Sequence, residues 1–154
     1  MLVDKHDNAA IVEFADGEMS VERTTSDDSE LYLFSVNHYR QPKTPKFNKL
    51  NCGINTHSQI RESLIIRWYK TQTQKISKKS IQALFATKHP GGLCNHFYND
   101  GFGTLGSIIF DLTKGSADVC FSAPTHNKYR PFSLADLAGV TEYATIIPIA
   151  LSRI

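Results

Sequence analysis

Runs of apolar residues punctuated by turn chemistry divide the chain into strands, then helices, then strands again. Ala9–Phe14, Met19–Arg23 and Leu31–Val36 are short strand candidates, the first two separated by the turn signal Ala15-Asp16-Gly17-Glu18, and together they predict a small antiparallel meander. Within the stretch Leu93–Phe132, the apolar, β-branched run Gly106–Leu112 and the alternating run Ala117–Phe121 flank the turn residues Thr113-Lys114-Gly115-Ser116. That pattern is a hairpin, and the rest of the chain is expected to pack around it. Its continuous apolar run Ile108-Ile109-Phe110 predicts burial on both faces, with Leu31–Val36 in the same sheet.

Helical periodicity occupies the middle. A capping-box pair, Thr56 and Gln59, predicts a helix from about His57, with Ile60, Leu64, Ile65 and Trp68 on one apolar face and Thr71-Gln72-Thr73 at its end. Ser77 is an N-cap for a second helix over Lys78–Thr87, whose inner face is Ile81, Leu84 and Phe85 and which Pro90-Gly91-Gly92 terminates. Beyond the hairpin, Phe132–Leu137 reads as extended or as a short helical turn, and Ile146–Leu151 as an edge element that tolerates Pro148. The expected fold class is α+β: antiparallel strands with both helices on one face, in a single domain over residues 1–154.

Composition narrows the picture. With 154 residues, 41% of them hydrophobic and 21% charged, the chain has the makings of a globular domain with a core. No apolar run reaches signal-peptide or membrane-span length, which predicts a soluble protein with no membrane partner. Cys52, Cys94 and Cys120 are an odd set without framework spacing, as expected of free thiols in a cytoplasmic protein. The net charge of +2 hides an asymmetry: residues 1–30 hold nine Asp/Glu against Lys5 and Arg23, whereas residues 40–88 hold eleven Lys/Arg against Glu62. The basic middle reads first as a solvated helix-and-loop face and second as a surface for an anionic substrate or partner, and no nucleic-acid motif accompanies it. Its loop Arg40–Asn55, with Pro42, Pro45 and Gly53, is either a lid or site wall or a disordered connector.

Candidate chemistry is sparse when read residue by residue. Cys94, His96, His89, Cys120 and His126 are metal-ligand types without paired spacing, so no metal is expected, and Cys94 and Cys120 read as buried small apolar residues. No cofactor is expected: Gly101-Phe102-Gly103-Thr104-Leu105-Gly106 has the letters of a dinucleotide fingerprint, but a strand follows it where a helix is required. Cys52 is a candidate thiol nucleophile, with Lys46 and Lys49 favouring the thiolate and His38, His57 or His96 as its base.

Three separated pieces agree in order with one family. Leu33-Phe34-Ser35-Val36-Asn37-His38-Tyr39, then Ser58-Gln59-Ile60-Arg61, then Gly92-Leu93-Cys94-Asn95-His96 leading to Thr104–Asp111 and Cys120-Phe121-Ser122-Ala123-Pro124, resemble the C-terminal half of the cysteine N-terminal-nucleophile (Ntn) hydrolases related to penicillin acyltransferase and choloylglycine hydrolase. The resemblance runs over roughly residues 9 to 134. It implies a four-layer αββα sandwich that hydrolyses linear amide C–N bonds or transfers their acyl group, with a small-molecule amide or acyl donor as substrate. It further implies that Asn37 helps bind the oxyanion and that Arg61 lies by the nucleophile. The family's terminal cysteine has no counterpart here, where the chain opens Met1-Leu2-Val3, so the expectation is a truncated or split enzyme partnered by a missing half or a second copy. The alternative is a non-catalytic remnant or a binding module using residues 40–88.

Overall fold

The computed structural model describes residues 1–4, 6, 8–25, 32–41, 43–48 and 53–133, arranged as two compact units that divide after Arg67. The first is a three-stranded antiparallel sheet, β1 (Leu2–Val3), β2 (Ala9–Ala15) and β3 (Glu18–Thr24), in the order β1-β2-β3, followed by most of helix α1 (Gly53–Lys70). Asp16 and Gly17 form the two-residue turn between β2 and β3, closed by the Ala15–Glu18 pair, and both have positive φ, at 48° and 77°. Two consecutive positive φ angles give the turn whose twist matches paired strands, and Asp-Gly is a preferred sequence for it.

This hairpin is oriented unusually. Val12 pairs with Val21 and Phe14 with Met19, and all four are exposed, Phe14 to 65%. On the opposite face Ile11 and Ser20 are buried beside Glu13 and Glu22, which take donors from the segment Arg40–Thr44. The carboxylates face protein because that segment supplies two backbone N–H groups, an amide and a hydroxyl, whereas apolar side chains there would leave those donors unsatisfied.

Tyr32–Val36 is not a strand, contrary to its apolar pattern, and Leu31 lies outside the described residues. Its order comes from side chains. The Tyr32 and Phe34 rings stack at 6.0 Å, and Arg40 covers the Phe34 ring at 4.1 Å while donating from Nη1 to the Phe34 carbonyl. A guanidinium thus serves a carbonyl that a strand would have placed in a ladder. Helix α1 begins at Gly53, four residues before the expected start, so Thr56 is a helix-interior residue and caps nothing.

The second unit holds helix α2 (Lys78–Ala86), the two-residue strands β4 (His96–Phe97) and β5 (Phe102–Gly103), and the sheet β6 (Gly106–Asp111), β7 (Ser116–Phe121) and β8 (Arg130–Ser133). Ser77 caps α2 reciprocally with Ser80, a device worth about 1 kcal/mol. The hairpin pairs as its pattern predicts, from Gly106–Phe121 to Asp111–Ser116, but its third strand is β8, not Leu31–Val36. Burial on both faces is also overturned: Ile108 and Phe110 are exposed, whereas Ala117, Asp118 and Cys120 of β7 are buried. An outer strand flanked on one side only buries less than the central strand, whatever its apolar content. Lys78 Nζ bonds the buried Asp118 carboxylate at 2.8 Å, tying α2 to β7. Gly103 is required where it stands, because a Cβ there would collide with the Tyr98 ring. The expected edge element Ile146–Leu151 and the residues of Phe132–Leu137 beyond Ser133 lie outside the described residues.

Candidate active site

Helix α1 presents Ser58, Arg61 and Glu62 at i, i+3 and i+4, so the three share one face and meet the turn Asn37-His38. Arg61 Nη2 donates to Asn37 Oδ1 at 2.7 Å, and Arg61 Nε reaches the His57 carbonyl at 3.3 Å. Burial lowers the Arg61 pKa from its ordinary value, which leaves the group a cation at any working pH. With Oδ1 committed to Arg61, the Asn37 amide nitrogen is the end of the side chain that can donate to an oxyanion.

Asn37 and His38 line a cleft of about 420 Å³ whose remaining wall includes Met1, Ile11, Val12, Phe14 and Val36. Arg61 is not among its lining residues and reaches Asn37 from the helix side. Around this pair runs a polar string. Ser58, fully buried, accepts the Asn37 backbone N–H at 2.8 Å and lies 2.9 Å from His38 Nδ1; His38 Nε2 is 3.0 Å from Glu62 Oε2, and Arg40 Nε donates to Glu62 Oε1 at 2.6 Å.

The sequence brought Asn37 and Arg61 forward, and the structure joins them directly. It missed Ser58 as a partner of Asn37 and Glu62 as a partner of His38, although polar residues one turn apart beside Arg61 were a visible signal. Cys52, the candidate nucleophile, lies outside the described residues. Of its candidate bases, His38 has both ring nitrogens engaged as above, and His57 offers its carbonyl to Arg61. His96 belongs to the second unit, where Nε2 lies 3.4 Å from Cys94 Sγ and 2.8 Å from Thr125 Oγ1; burial, then Lys88 and His126, lower its pKa. Cys94 and Cys120 are free and fully buried, and burial, with Cys94 nearby, raises the Cys120 pKa. Among the described residues no three or more His, Cys, Asp or Glu side chains are grouped to hold a metal ion, and no helix is long and apolar enough to cross a membrane.

An α+β framework of antiparallel sheets and two helices, with an amide at a cleft rim fixed by a guanidinium, has the donor and the positive charge that acyl transfer uses. The chain belongs to the acyl-coenzyme A:6-aminopenicillanic acid acyl-transferase family, whose model matches residues 1–126, and so to the penicillin acyltransferase group of Ntn hydrolases. Membership points to an acyltransferase or Ntn-hydrolase-like function. No curated protein and no solved structure matches the chain.

Proposed function

We propose that this chain carries the oxyanion-binding part of a site that hydrolyses a linear amide or transfers its acyl group, and that the attacking thiol comes from a separate cysteine-bearing segment. The observation that carries the reading is the Asn37–Arg61 bond at the rim of the cleft. In such a reaction a thiolate sulfur attacks the carbonyl carbon and the carbonyl π electrons move to oxygen. The tetrahedral intermediate then collapses, breaking the C–N bond, and the amine leaves with the proton the thiol gave up. Water or an acceptor amine cleaves the resulting thioester. Asn37 meets the charge on oxygen, and Arg61 holds Asn37 and adds positive potential. The apolar residues of the cleft suit an acyl group.

Neither described cysteine suits the nucleophile, since Cys94 and Cys120 are fully buried. We further propose that this chain is part of an αββα sandwich domain completed by that separate segment, which covers the exposed apolar strand faces of the two three-stranded sheets. The second reading is a binding module built on residues 40–88; of the eleven Lys and Arg there, Arg40, Lys46, Arg61 and Lys78 have carboxylate or amide partners within the fold, so such a module would draw on the other seven.

The test is to incubate the purified chain with chromogenic acyl amides and a thiol-trapping reagent, with and without an upstream segment bearing a terminal cysteine. Inactivity rescued by that segment is the expected result. Turnover by the chain alone that Cys52→Ser abolishes would refute the separate-segment reading, and inactivity under both conditions would refute the acyl-transfer reading itself.

A further inference from the structure

With His38 neutral, the hydrogens of the string beside Asn37 fit one arrangement. A backbone N–H only donates, so Ser58 Oγ accepts from Asn37 at 2.8 Å. The ionised Glu62 carboxylate only accepts, receiving Arg40 Nε at 2.6 Å on one oxygen, so the 3.0 Å contact on its other oxygen needs a proton on His38 Nε2. A neutral imidazole protonated there has a bare Nδ1, and the Ser58 hydroxyl donates to it across 2.9 Å. Donors and acceptors then match along the whole string.

We propose that His38 and Ser58 are positioning residues for Asn37, with His38 held as the Nε2–H tautomer by Glu62. The proposal rests on reading Asn37 as the oxyanion donor. Ser58 anchors the Asn37 backbone while Arg61, from the same helical turn, anchors its side-chain oxygen, so a residue in a turn is fixed at two points. A donor fixed before the reaction spends nothing on reorganisation when charge develops. The serine, histidine and carboxylate also have the order of a nucleophilic triad, but Ser58 is fully buried and its oxygen already accepts the Asn37 N–H, so the string orients and does not attack.

Two measurements on the full chain test this. Nitrogen-15 NMR of the histidine side chains at neutral pH should show His38 as the Nε2–H tautomer, and Ser58→Ala should perturb the His38 Nδ1 resonance. In the segment-complemented amide assay, Ser58→Ala should lower kcat about 10- to 100-fold with KM little changed, the scale of a small misplacement of a reacting group, and Ser58→Thr, which restores the hydroxyl, should recover most of it. If Ser58→Ala fails to fold, the wild-type spectrum still decides, because an Nδ1–H or doubly protonated His38 overturns the proposal. A normal kcat in Ser58→Ala when Asn37→Ala is impaired also overturns it, as does labelling of Ser58 by a fluorophosphonate. If the tautomer is as stated and neither variant affects kcat, it is the reading of Asn37 that has failed.

Discussion

Asn37→Asp is expected to lower kcat by about 10²- to 10³-fold, at least as much as Asn37→Ala, with a smaller effect on KM. The substitution keeps the shape of the side chain and the oxygen that accepts from Arg61 Nη2 at 2.7 Å. What it removes is the amide nitrogen, and it adds a negative charge where the intermediate develops its own. A loss confined to kcat marks an interaction made chiefly in the transition state. Steady-state kinetics on an acyl-amide substrate, in the presence of the cysteine-bearing segment, provide the measurement. Asn37→Asp retaining wild-type kcat would exclude an oxyanion role for this residue.

The largest effect on stability is expected at Glu13. Its carboxylate accepts the Arg40 N–H at 2.8 and 3.0 Å, the Gln41 N–H at 2.9 Å and the hydroxyl of Thr44, and Thr44 is fully buried. Glu13→Ala strands the Arg40 and Gln41 backbone donors and leaves the Thr44 hydroxyl only the Gln41 carbonyl at 3.1 Å, at a cost of about 2 to 4 kcal/mol; Glu13→Gln, which keeps one oxygen, should cost less than half of that. Urea titrations with an unchanged m-value would report it as a shift in midpoint. Burial alone would raise the Glu13 pKa, but the bonds from Thr44, Gln41 and Arg40, with the Arg40 charge, outweigh it and hold the pKa below its ordinary value of 4.5. The unfolded chain therefore binds the proton more readily. The carboxylate's contribution is complete above about pH 4.5 and is lost as pH falls through the lower folded value, so wild type and Glu13→Gln should converge in acid. A midpoint for Glu13→Ala equal to that of wild type at neutral pH would count against the clamp.

The features legible in the sequence are those whose causes are local. Asp16-Gly17 has few alternatives to a tight turn, and Ser77 can cap only the helix it precedes, so β2, β3 and α2 fall close to their predicted places. Tyr32–Val36 misleads because an apolar run says that a segment is covered but not by what: Arg40, not a neighbouring strand, takes the Phe34 carbonyl. The helix start misleads for a related reason, since Thr56 and Gln59 have the letters of a capping box but lie inside a helix begun at Gly53. At the site, Asn37 and Arg61 were found through a family likeness. The bonds from Asn37 to Ser58 and Arg61 and from His38 to Glu62 each span more than twenty residues of chain, a separation on which periodicity carries no information.

The β2–β3 hairpin will also mislead anyone who ranks positions by hydrophobicity. Its valines, Phe14 and Met19 face outward, while Glu13 and Glu22 hold the chain together on the other side. Substitution tolerance on this hairpin therefore runs inside out within this chain. Val21 can become threonine with little change in stability, whereas Glu13, which looks like surface decoration, must be left alone by variation.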